Sequence, residues 1–258
     1  MELFKKTAII SGGASGLGRA SALHLAKLGV NIALFDLNED AGNAFADQLG
    51  RSSAQFYKVD VCQEDAVGQA IEAAFSQFGN LHLCLNCAGI APAKRVLDRD
   101  HRATPLDHFS RAISINLIGS FNLARLAAEC MAKNTPVGED NERGIIINTA
   151  SIAAFDGQVG QAAYAASKSG IVGMTLPMAR DLAAFGIRVN CIAPGLMGTP
   201  MMEGMPETVK KNLIAQTQFP KRMGLPEEYA RLVAHICENT YLNGETIRLD
   251  AAVRMPPK

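Results

Sequence analysis

The chain has 258 residues, of which 48% are hydrophobic and 19% are charged, so it is long enough to bury a large core. Lysine plus arginine and aspartate plus glutamate each number 25, and this balance disfavours binding to nucleic acid or to a membrane surface through net charge. No apolar run reaches the roughly 18 to 20 residues of a membrane-spanning helix. The start, "MELFKKTAII", resembles neither a signal peptide nor a transit peptide, and we expect a cytoplasmic protein.

Short β-rich runs alternate along the chain with segments of helical periodicity. Strands that are apolar nearly throughout and separated by helices predict a parallel sheet covered on both faces. We therefore predict a single doubly wound Rossmann-type α/β domain over residues 1–258, with a seven-stranded parallel sheet flanked by helices. The predicted strands are 7–10, 31–36, 54–60, 81–86, 144–151, 187–194 and 245–250, and the predicted helices include 17–28, 39–49, 63–78, 107–132 and 162–185.

Two long stretches interrupt this alternation, and each follows a predicted strand at the edge of the sheet where doubly wound folds bind ligands. Residues 90–106, here named the basic loop, contain Lys94, Arg95, Arg99 and Arg102. Residues 195–224, here named the lid segment, are rich in methionine, glycine and proline. Long segments of this kind are usually functional, although the basic loop could equally be a solvated stretch without a ligand.

A glycine-rich turn, "SGGASGLG" at 11–18, follows the first predicted strand and opens a helix. Its glycines permit a ligand to approach the backbone, and the helix N-terminus offers N–H groups to a pyrophosphate. Asp36 ends the second strand, where a carboxylate can bind the ribose hydroxyls of NAD and repel the 2′-phosphate of NADP. The turn and Asp36 together predict NAD binding. The alternative for Asp36 is a cap of the next helix.

A tyrosine and a lysine, Tyr164 and Lys168, are placed four positions apart among small residues in "AAYAASKSG". Positions i and i+4 share one face of a helix, so both side chains can reach a common ligand. An ordinary helix carries the same pair by chance, and the spacing alone does not decide between the two interpretations.

Six cysteines lie mostly in apolar segments, which favours reduced, buried thiols over disulfides. Cys84 and Cys87 have the spacing of a redox or zinc half-motif. No second pair and no HExxH sequence accompanies them, and we expect no metal site.

Nearly the whole chain resembles the short-chain dehydrogenase/reductase family. The matching residues occur in the family's order, namely the glycine motif at 12–18, "NCAG" at Asn86–Gly89, Asn116, Ser151, Tyr164, Lys168, Pro194-Gly195 and Thr199. The resemblance implies that Tyr164 is the catalytic acid/base and that Lys168, with the nicotinamide, lowers its pKa and binds the ribose. It also implies that Ser151 binds the reacting oxygen and that Asn116 holds a water linking Lys168 to solvent.

The same resemblance implies the remaining ligand contacts. Gln158 and Gln161, just before Tyr164, are expected to contact the substrate together with Ser151 and Tyr164. The expected NAD contacts are Gly12, Ser15, Gly16, Leu17, Gly18, Asp36, Asp60, Val61, Cys87, Gly89, Tyr164, Lys168 and Thr199.

Within the family, the type II 3-hydroxyacyl-CoA dehydrogenases, or multifunctional hydroxysteroid dehydrogenases, are the most similar subgroup. The stretches 147–183, 192–200, 242–250 and 251–257 resemble it in detail, although Met197 stands where an aromatic residue is common in animal members. This implies NAD-dependent oxidation of 3-hydroxyacyl-CoA to 3-oxoacyl-CoA in fatty acid metabolism, with hydroxysteroids as a second substrate class, in a bacterial member.

Two alternative functions remain open, and the sequence also predicts an oligomeric state. A 3-oxoacyl-carrier-protein reductase would share the fold but usually uses NADPH, which Asp36 disfavours. A scaffold or RNA-processing subunit is the alternative from another class, and the neutral charge and the absence of a basic stripe disfavour direct nucleic-acid affinity. We expect a homotetramer, because 107–132 and 162–185 carry more apolar residues than one sheet face requires. These residues are Leu117, Ile118, Phe121, Leu126, Ile171, Met174 and Leu176.

Overall fold

The computed structural model describes residues 1–203 and 207–257. Within them, seven strands form one sheet in the order β3-β2-β1-β4-β5-β6-β7, and every neighbouring pair is parallel. The predicted seven-stranded parallel sheet is confirmed. The strands are β1 (Thr7–Ser11), β2 (Asn31–Asp36), β3 (Ala54–Lys58), β4 (Leu83–Asn86), β5 (Gly144–Thr149), β6 (Ile187–Pro194) and β7 (Thr246–Leu249).

Helices cover both faces of the sheet. A π-helical turn, Ile113–Ile118, joins α4 to α5, so the predicted helix 107–132 is one continuous helical segment. The α-helices are α1 (Gly16–Lys27), α2 (Glu39–Leu49), α3 (Glu64–Phe78), α4 (Leu106–Ala112), α5 (Gly119–Met131), α6 (Ala162–Ala183), α7 (Pro200–Glu203), α8 (Glu207–Ala215) and α9 (Pro226–Glu238).

The core is divided between the two faces of the sheet. On one face, Leu25 of α1 and Val233 of α9 pack with the strands. On the other face, Val67 of α3 and Leu123 of α5 do so. The strands between them are apolar on both sides because neither face meets water.

Helix α9 was not among the predicted helices, although its start carries recognisable signals. Pro226 occupies the first turn, where its missing N–H is harmless. The Glu228 carboxylate accepts a hydrogen bond from the Leu225 backbone N–H at 2.7 Å, as acidic residues at the third helical position commonly do.

The sheet order reverses between β1 and β4. From β1 the chain proceeds outward to β2 and β3, whereas β4 is followed outward by β5, β6 and β7. The loops after β1 and β4 therefore diverge and leave a crevice at the carboxyl ends of the strands, which is the usual ligand site of such sheets.

Both long segments emerge at this edge. The basic loop is irregular and is closed by a bridge between Leu97 and Ala103. The lid segment contains α7 and α8, and Met197 near its start pairs with Gly224 at its end. Part of the Met-rich stretch at 197–205 lies outside the described residues.

The apolar residues expected at subunit interfaces differ in exposure, and they include exposed, half-buried and buried side chains. Ile118, Phe121 and Leu176 are 54%, 46% and 44% exposed. Leu117, Leu126 and Met174 are half-buried. The expectation is wrong for Ile171, which is fully buried with Cys191 and Ala193, because α6 packs that side onto β6.

None of the helices in the described part of the chain combines the length and the apolar character needed to cross a bilayer.

Candidate active site

A cavity of about 710 Å³ opens at the carboxyl ends of the strands. It extends from the glycine-rich turn across the sheet to α6, the lid segment and the last residues of the chain. Every predicted site residue except Asn116 lines it. These residues are Gly12, Ser15, Gly16, Leu17, Gly18, Asp36, Asp60, Val61, Cys87, Gly89, Ser151, Gln158, Gln161, Tyr164, Lys168 and Thr199.

The turn between β1 and α1 depends on two glycines. Gly12 has φ +63°, and a Cβ there would lie 2.9 Å from the Ala88 backbone nitrogen. A Cβ on Gly18 would lie 2.3 Å from the Gly12 carbonyl oxygen, which no side chain tolerates. Ser15 precedes α1, and its side chain does not cap the helix. The first-turn N–H groups therefore fit an anion such as the pyrophosphate of a dinucleotide.

Asp36 ends β2 beside this turn. Its carboxylate oxygens accept hydrogen bonds from the backbone nitrogens of Ala14 and Asn38, both at 3.0 Å. Helix α2 is capped by a different residue, since the Asn38 side chain accepts from Ala41 at 3.1 Å. The alternative that Asp36 is the helix cap is therefore wrong. Asp36 is held in place at the cavity wall, where its carboxylate fits a ribose.

Asp60 and Val61 follow β3 on the same side of the cavity. The Asp60 carboxylate accepts a hydrogen bond from the Cys62 backbone nitrogen at 2.9 Å, which orients the side chain. Val61 packs closely beneath α5, since a Cβ on Gly119 would lie 2.6 Å from Val61 Cγ2. These two contacts fix the position of Asp60 and Val61 at the cavity wall.

The catalytic tyrosine predicted from the sequence, Tyr164, lies in the first turn of α6 and is half-buried at the cavity wall. Burial raises the pKa of its phenol, and a hydrogen bond with the Ser151 side chain acts in the opposite direction. Ser151 is oriented by its own contact, because its hydroxyl oxygen accepts from the Ala153 nitrogen at 3.1 Å. The phenol and the hydroxyl thus face the cavity together.

Lys168 lies one helical turn further along α6. Its Nζ donates to the Thr149 carbonyl at 2.7 Å and lies 6.0 Å from the centroid of the Tyr164 ring. Burial lowers the pKa of Lys168 from 10.5 to about 8. For the protein alone, desolvation of the phenol dominates the pKa of Tyr164, and the lowering of that pKa by Lys168 together with the nicotinamide stays a prediction.

Asn116 lies behind the cavity wall in the π-helical turn and is fully buried. Its amide binds both backbone groups of Ile90, accepting from the nitrogen at 2.8 Å and donating to the oxygen at 2.9 Å. It also donates to Ser167 Oγ at 2.9 Å. Asn116 therefore joins the loop after β4 to α6, directly behind Gly89 and Lys168.

The two predicted substrate glutamines line the cavity, but their side chains also bind the chain itself. Gln158 Nε2 donates to the Pro256 carbonyl at 3.0 Å. Gln161 Oε1 accepts from the Gln158 backbone nitrogen at 2.9 Å. Both contacts organise the loop that precedes Tyr164.

Cys84 and Cys87 lie within β4 and just after it, the first buried and the second half-buried. Both are free thiols, and burial raises the pKa of each, so the neutral thiol is favoured. No group of three or more His, Cys, Asp or Glu side chains within 1–203 and 207–257 is arranged to hold a metal ion.

Sequence reasoning missed several residues of the cavity wall. Ile115 and Arg111 come from the helical segment before Asn116, and Leu213 comes from α8. Proximity to Asn116 could have indicated Ile115. Met255 lines the cavity from the end of the chain, and no local pattern identifies it.

Comparisons with known proteins agree with this geometry. The family model described as "Enoyl-(Acyl carrier protein) reductase" matches residues 12–253. The chain is 52% identical over 251 residues to the 3-hydroxyacyl-CoA dehydrogenase type-2 of Bos taurus, covering 97% of this chain and 95% of that protein. It is 30% identical over 260 residues to a 3-oxoacyl-[acyl-carrier-protein] reductase of Thermotoga maritima, covering 98% and 99%.

A solved structure is also similar. The crystal structure of 3-hydroxyacyl-CoA dehydrogenase type-2 from Mycobacterium avium has a TM-score of 0.94 to this chain, with 43% sequence identity and 100% of both chains covered.

Proposed function

The chain belongs to the short-chain dehydrogenase/reductase family and is an oxidoreductase, and from this premise we propose that it interconverts 3-hydroxyacyl-CoA and 3-oxoacyl-CoA with NAD. The observation that carries the substrate class is the 52% identity to a protein of that name over 97% of this chain. Members of the family generally use NAD(H) or NADP(H).

The choice of NAD is supported by Asp36. Its carboxylate is fixed beside the glycine-rich turn by two backbone N–H groups. A 2′-phosphate at the adenosine ribose would meet this negative charge, and the next residue, Leu37, offers no cation to neutralise it. The ribose hydroxyls of NAD can instead donate to the carboxylate.

The proton transfer is assigned to Tyr164. When bound, the nicotinamide supplies the acceptor for the hydride that leaves the carbinol carbon. Because burial raises the pKa of Tyr164, the phenol is protonated at neutral pH and can donate a proton during ketone reduction. In the oxidative direction a cation must favour the phenolate, and Lys168, with its pKa of about 8, is still largely protonated at neutral pH.

Ser151 and Asn116 support this transfer. The Ser151 side chain acts to lower the pKa of the neighbouring phenol, and we assign to its hydroxyl a hydrogen bond to the reacting oxygen, which stabilises charge as it develops. Asn116 positions Gly89 and Lys168, because its amide fixes the backbone of Ile90 and contacts Ser167 of α6. We also assign to Asn116 the water that connects Lys168 to solvent.

The substrate half of the cavity suits an acyl chain, since its lining includes Leu196, Met197, Met201 and Met202 from the lid segment. Methionine adapts its shape to apolar ligands. The coenzyme A end is assigned to the basic loop, because the Lys94 backbone nitrogen donates to the Gly160 carbonyl at 2.8 Å and so ties that loop to the cavity rim. Hydroxysteroids, which lack phosphates, are the proposed second substrate class.

An assay of the purified protein that follows the formation of NADH by its absorbance tests this function directly. We expect oxidation of 3-hydroxybutanoyl-CoA with NAD, at a much higher kcat/KM than with NADP. Turnover of a 3-oxoacyl-carrier-protein with NADPH, without turnover of the coenzyme A thioester, would instead support the second candidate. That candidate is favoured by the 30% identical reductase.

We also propose a homotetrameric assembly and a cytoplasmic location. Ile118, Phe121 and Leu176 are exposed on two helices, which supports burial of these side chains against other copies. Light scattering at micromolar concentration tests the assembly, and a monomer mass would contradict it. Six free cysteines are consistent with a reducing compartment.

A further inference from the structure

The last described residues, 251–257, here named the tail, follow β7 and contribute Met255 to the cavity wall. Ala251 and Ala252 follow β7 with φ of 49° and 59°. This left-handed conformation is unfavourable for two consecutive residues that carry a Cβ. Strained backbone persists where surrounding contacts enforce it, and it often accompanies function.

An arginine enforces the turn. Arg248 of β7 donates to Asp250 at 2.7 Å, to Asp156 at 2.6 Å and to the Val253 carbonyl at 2.9 Å. Val253 is fully buried. The turn is therefore tied both to the sheet and to the loop that precedes Tyr164.

Further along the tail, two hydrogen bonds attach it to that same loop. Gln158 Nε2 donates to the Pro256 carbonyl, and the Val159 backbone nitrogen donates to the Pro257 carbonyl, both at 3.0 Å. Met255 lies between the Arg248 anchor and these two bonds, is half-buried and lines the cavity. The tail thus holds Met255 as a fixed part of the cavity wall.

We propose that Met255 is a specificity-determining residue that limits the length of the acyl chain, and that Gln158 is the positioning residue that holds it there. This inference rests on the proposed function. Hydrogen bonds to Val253 and to Pro256 fix the tail on either side of Met255. The Met255 side chain then occupies space that the far end of a longer acyl chain would need. Gln158 acts through the tail, because its donor is bound to Pro256.

The test compares the kcat/KM values for 3-hydroxyoctanoyl-CoA and 3-hydroxybutanoyl-CoA. Met255→Ala should raise the ratio of the long to the short substrate by about tenfold, since one or two methylene groups in an apolar pocket are worth that much. Met223→Ala is the matched control, because Met223 is also half-buried but does not line the cavity. Its ratio should equal that of the wild type. An unchanged ratio in Met255→Ala would overturn the proposal.

A second variant tests the positioning role. Gln158→Met keeps the length of the side chain but removes the donor to Pro256. It should raise the ratio in the same direction by less than Met255→Ala does, because the bond from Val159 remains. In the double variant Met255→Ala/Gln158→Met, the fold-change in the ratio should be smaller than the product of the two single fold-changes. Fully multiplicative effects would show that Gln158 does not act through Met255.

Failure of the proposed function would be visible separately. Wild-type turnover of 3-hydroxybutanoyl-CoA tests that function alone. If it is absent, the same ratio is measured with 2-octanol and 2-butanol, which enter the cavity without coenzyme A. The proposal requires the Met255→Ala shift in that series too, and an unchanged ratio there overturns it.

Discussion

The two edges of the central sheet use buried polar groups in opposite ways. At the carboxyl edge, the buried Lys168 faces a cavity together with the half-buried Asp36 and Tyr164. At the amino edge, the buried polar groups bind other parts of the chain. Arg188, for example, donates to Glu142 at 2.8 Å. It also donates to the carbonyls of Ile236 and Cys237 at the end of α9 and to that of Leu242 in the loop after this helix.

The comparison shows that burial of a polar residue does not by itself indicate function. Arg188 and Lys168 are 7% and 6% exposed, and both donate to backbone carbonyls. Only Lys168 also borders a cavity large enough for a ligand. A polar group enclosed by its own chain stabilises the fold, whereas one that also faces a cavity is available for chemistry.

The largest expected effect is a loss of activity caused by a substitution in the cavity at the carboxyl edge. Tyr164→Phe should lower kcat by about a thousandfold, since it removes a positioned acid/base. NADH affinity, measured by fluorescence titration, should remain close to that of the wild type. Tyr57→Phe is the matched control, because Tyr57 is also a half-buried phenol but lies outside the cavity. A Tyr164→Phe variant with a third of the wild-type kcat would contradict the assignment.

The next effect concerns stability at the amino edge. His82 Nδ1 accepts a hydrogen bond from the Thr7 nitrogen at 3.2 Å, so the imidazole must be neutral. Burial, assisted by Lys6, lowers the pKa of His82 from 6.5 to about 4. The folded state therefore binds fewer protons than the unfolded state, and stability is lost as the pH falls from 6.5 towards 4. The loss amounts to about 3 kcal/mol at most.

His82→Asn measures this contribution, because an amide oxygen can accept from Thr7 without titrating. Urea unfolding should give similar free energies of unfolding for the variant and the wild type at pH 7. In acid, the free energy of unfolding of the variant should exceed that of the wild type by up to about 3 kcal/mol. Activity at pH 7 should be unchanged. If the free energies of unfolding of both proteins declined in parallel as the pH fell, His82 would not be the acid-sensitive group.

At the carboxyl edge, the cofactor preference should change with Asp36. The double variant Asp36→Ala/Leu37→Arg removes the repulsion of a 2′-phosphate and adds a guanidinium to pair with it. The ratio of kcat/KM for NADP over NAD should rise by about a hundredfold, the effect of two charge-dependent contacts. Leu37→Arg alone retains the carboxylate and should change the ratio much less. If the double variant kept the wild-type ratio, Asp36 would not contact the ribose.

The smallest effect concerns the basic loop. Its four cations, Lys94, Arg95, Arg99 and Arg102, are exposed. The ion pairs found within residues 1–203 and 207–257 involve none of them. Changing all four to Ser should raise KM for 3-hydroxybutanoyl-CoA by about tenfold, by loss of attraction to the phosphates. KM for a hydroxysteroid should stay constant.

A control with the same change in net charge isolates the position of these cations. Lys5, Lys27, Arg51 and Lys133 are exposed and lie outside the cavity. Their quadruple change to Ser should leave both KM values unaltered. Equal effects of the two quadruple variants would mean that the basic loop acts through net charge alone and is not a coenzyme A site.

The sequence by itself determined the parts of this protein that depend on local spacing. Apolar runs separated by helical periods predict the seven parallel strands, because a strand buried on both faces needs apolar residues throughout. The glycines of the first turn are readable for a similar reason, since Gly12 and Gly18 lie where a Cβ would collide with backbone. The spacing of Tyr164 and Lys168 places both on one helical face.

Only the tertiary structure decided the features that depend on distant partners. Ile171 was expected at an interface, but the packing of α6 on β6 buries it. The pKa values of Tyr164 and Lys168 follow from how completely the fold encloses them. Gln158 and Pro256 are 98 positions apart, and their contact places Met255 in the cavity wall. Local sequence patterns do not encode such contacts, because burial and hydrogen bonding between distant segments arise only when the whole chain packs.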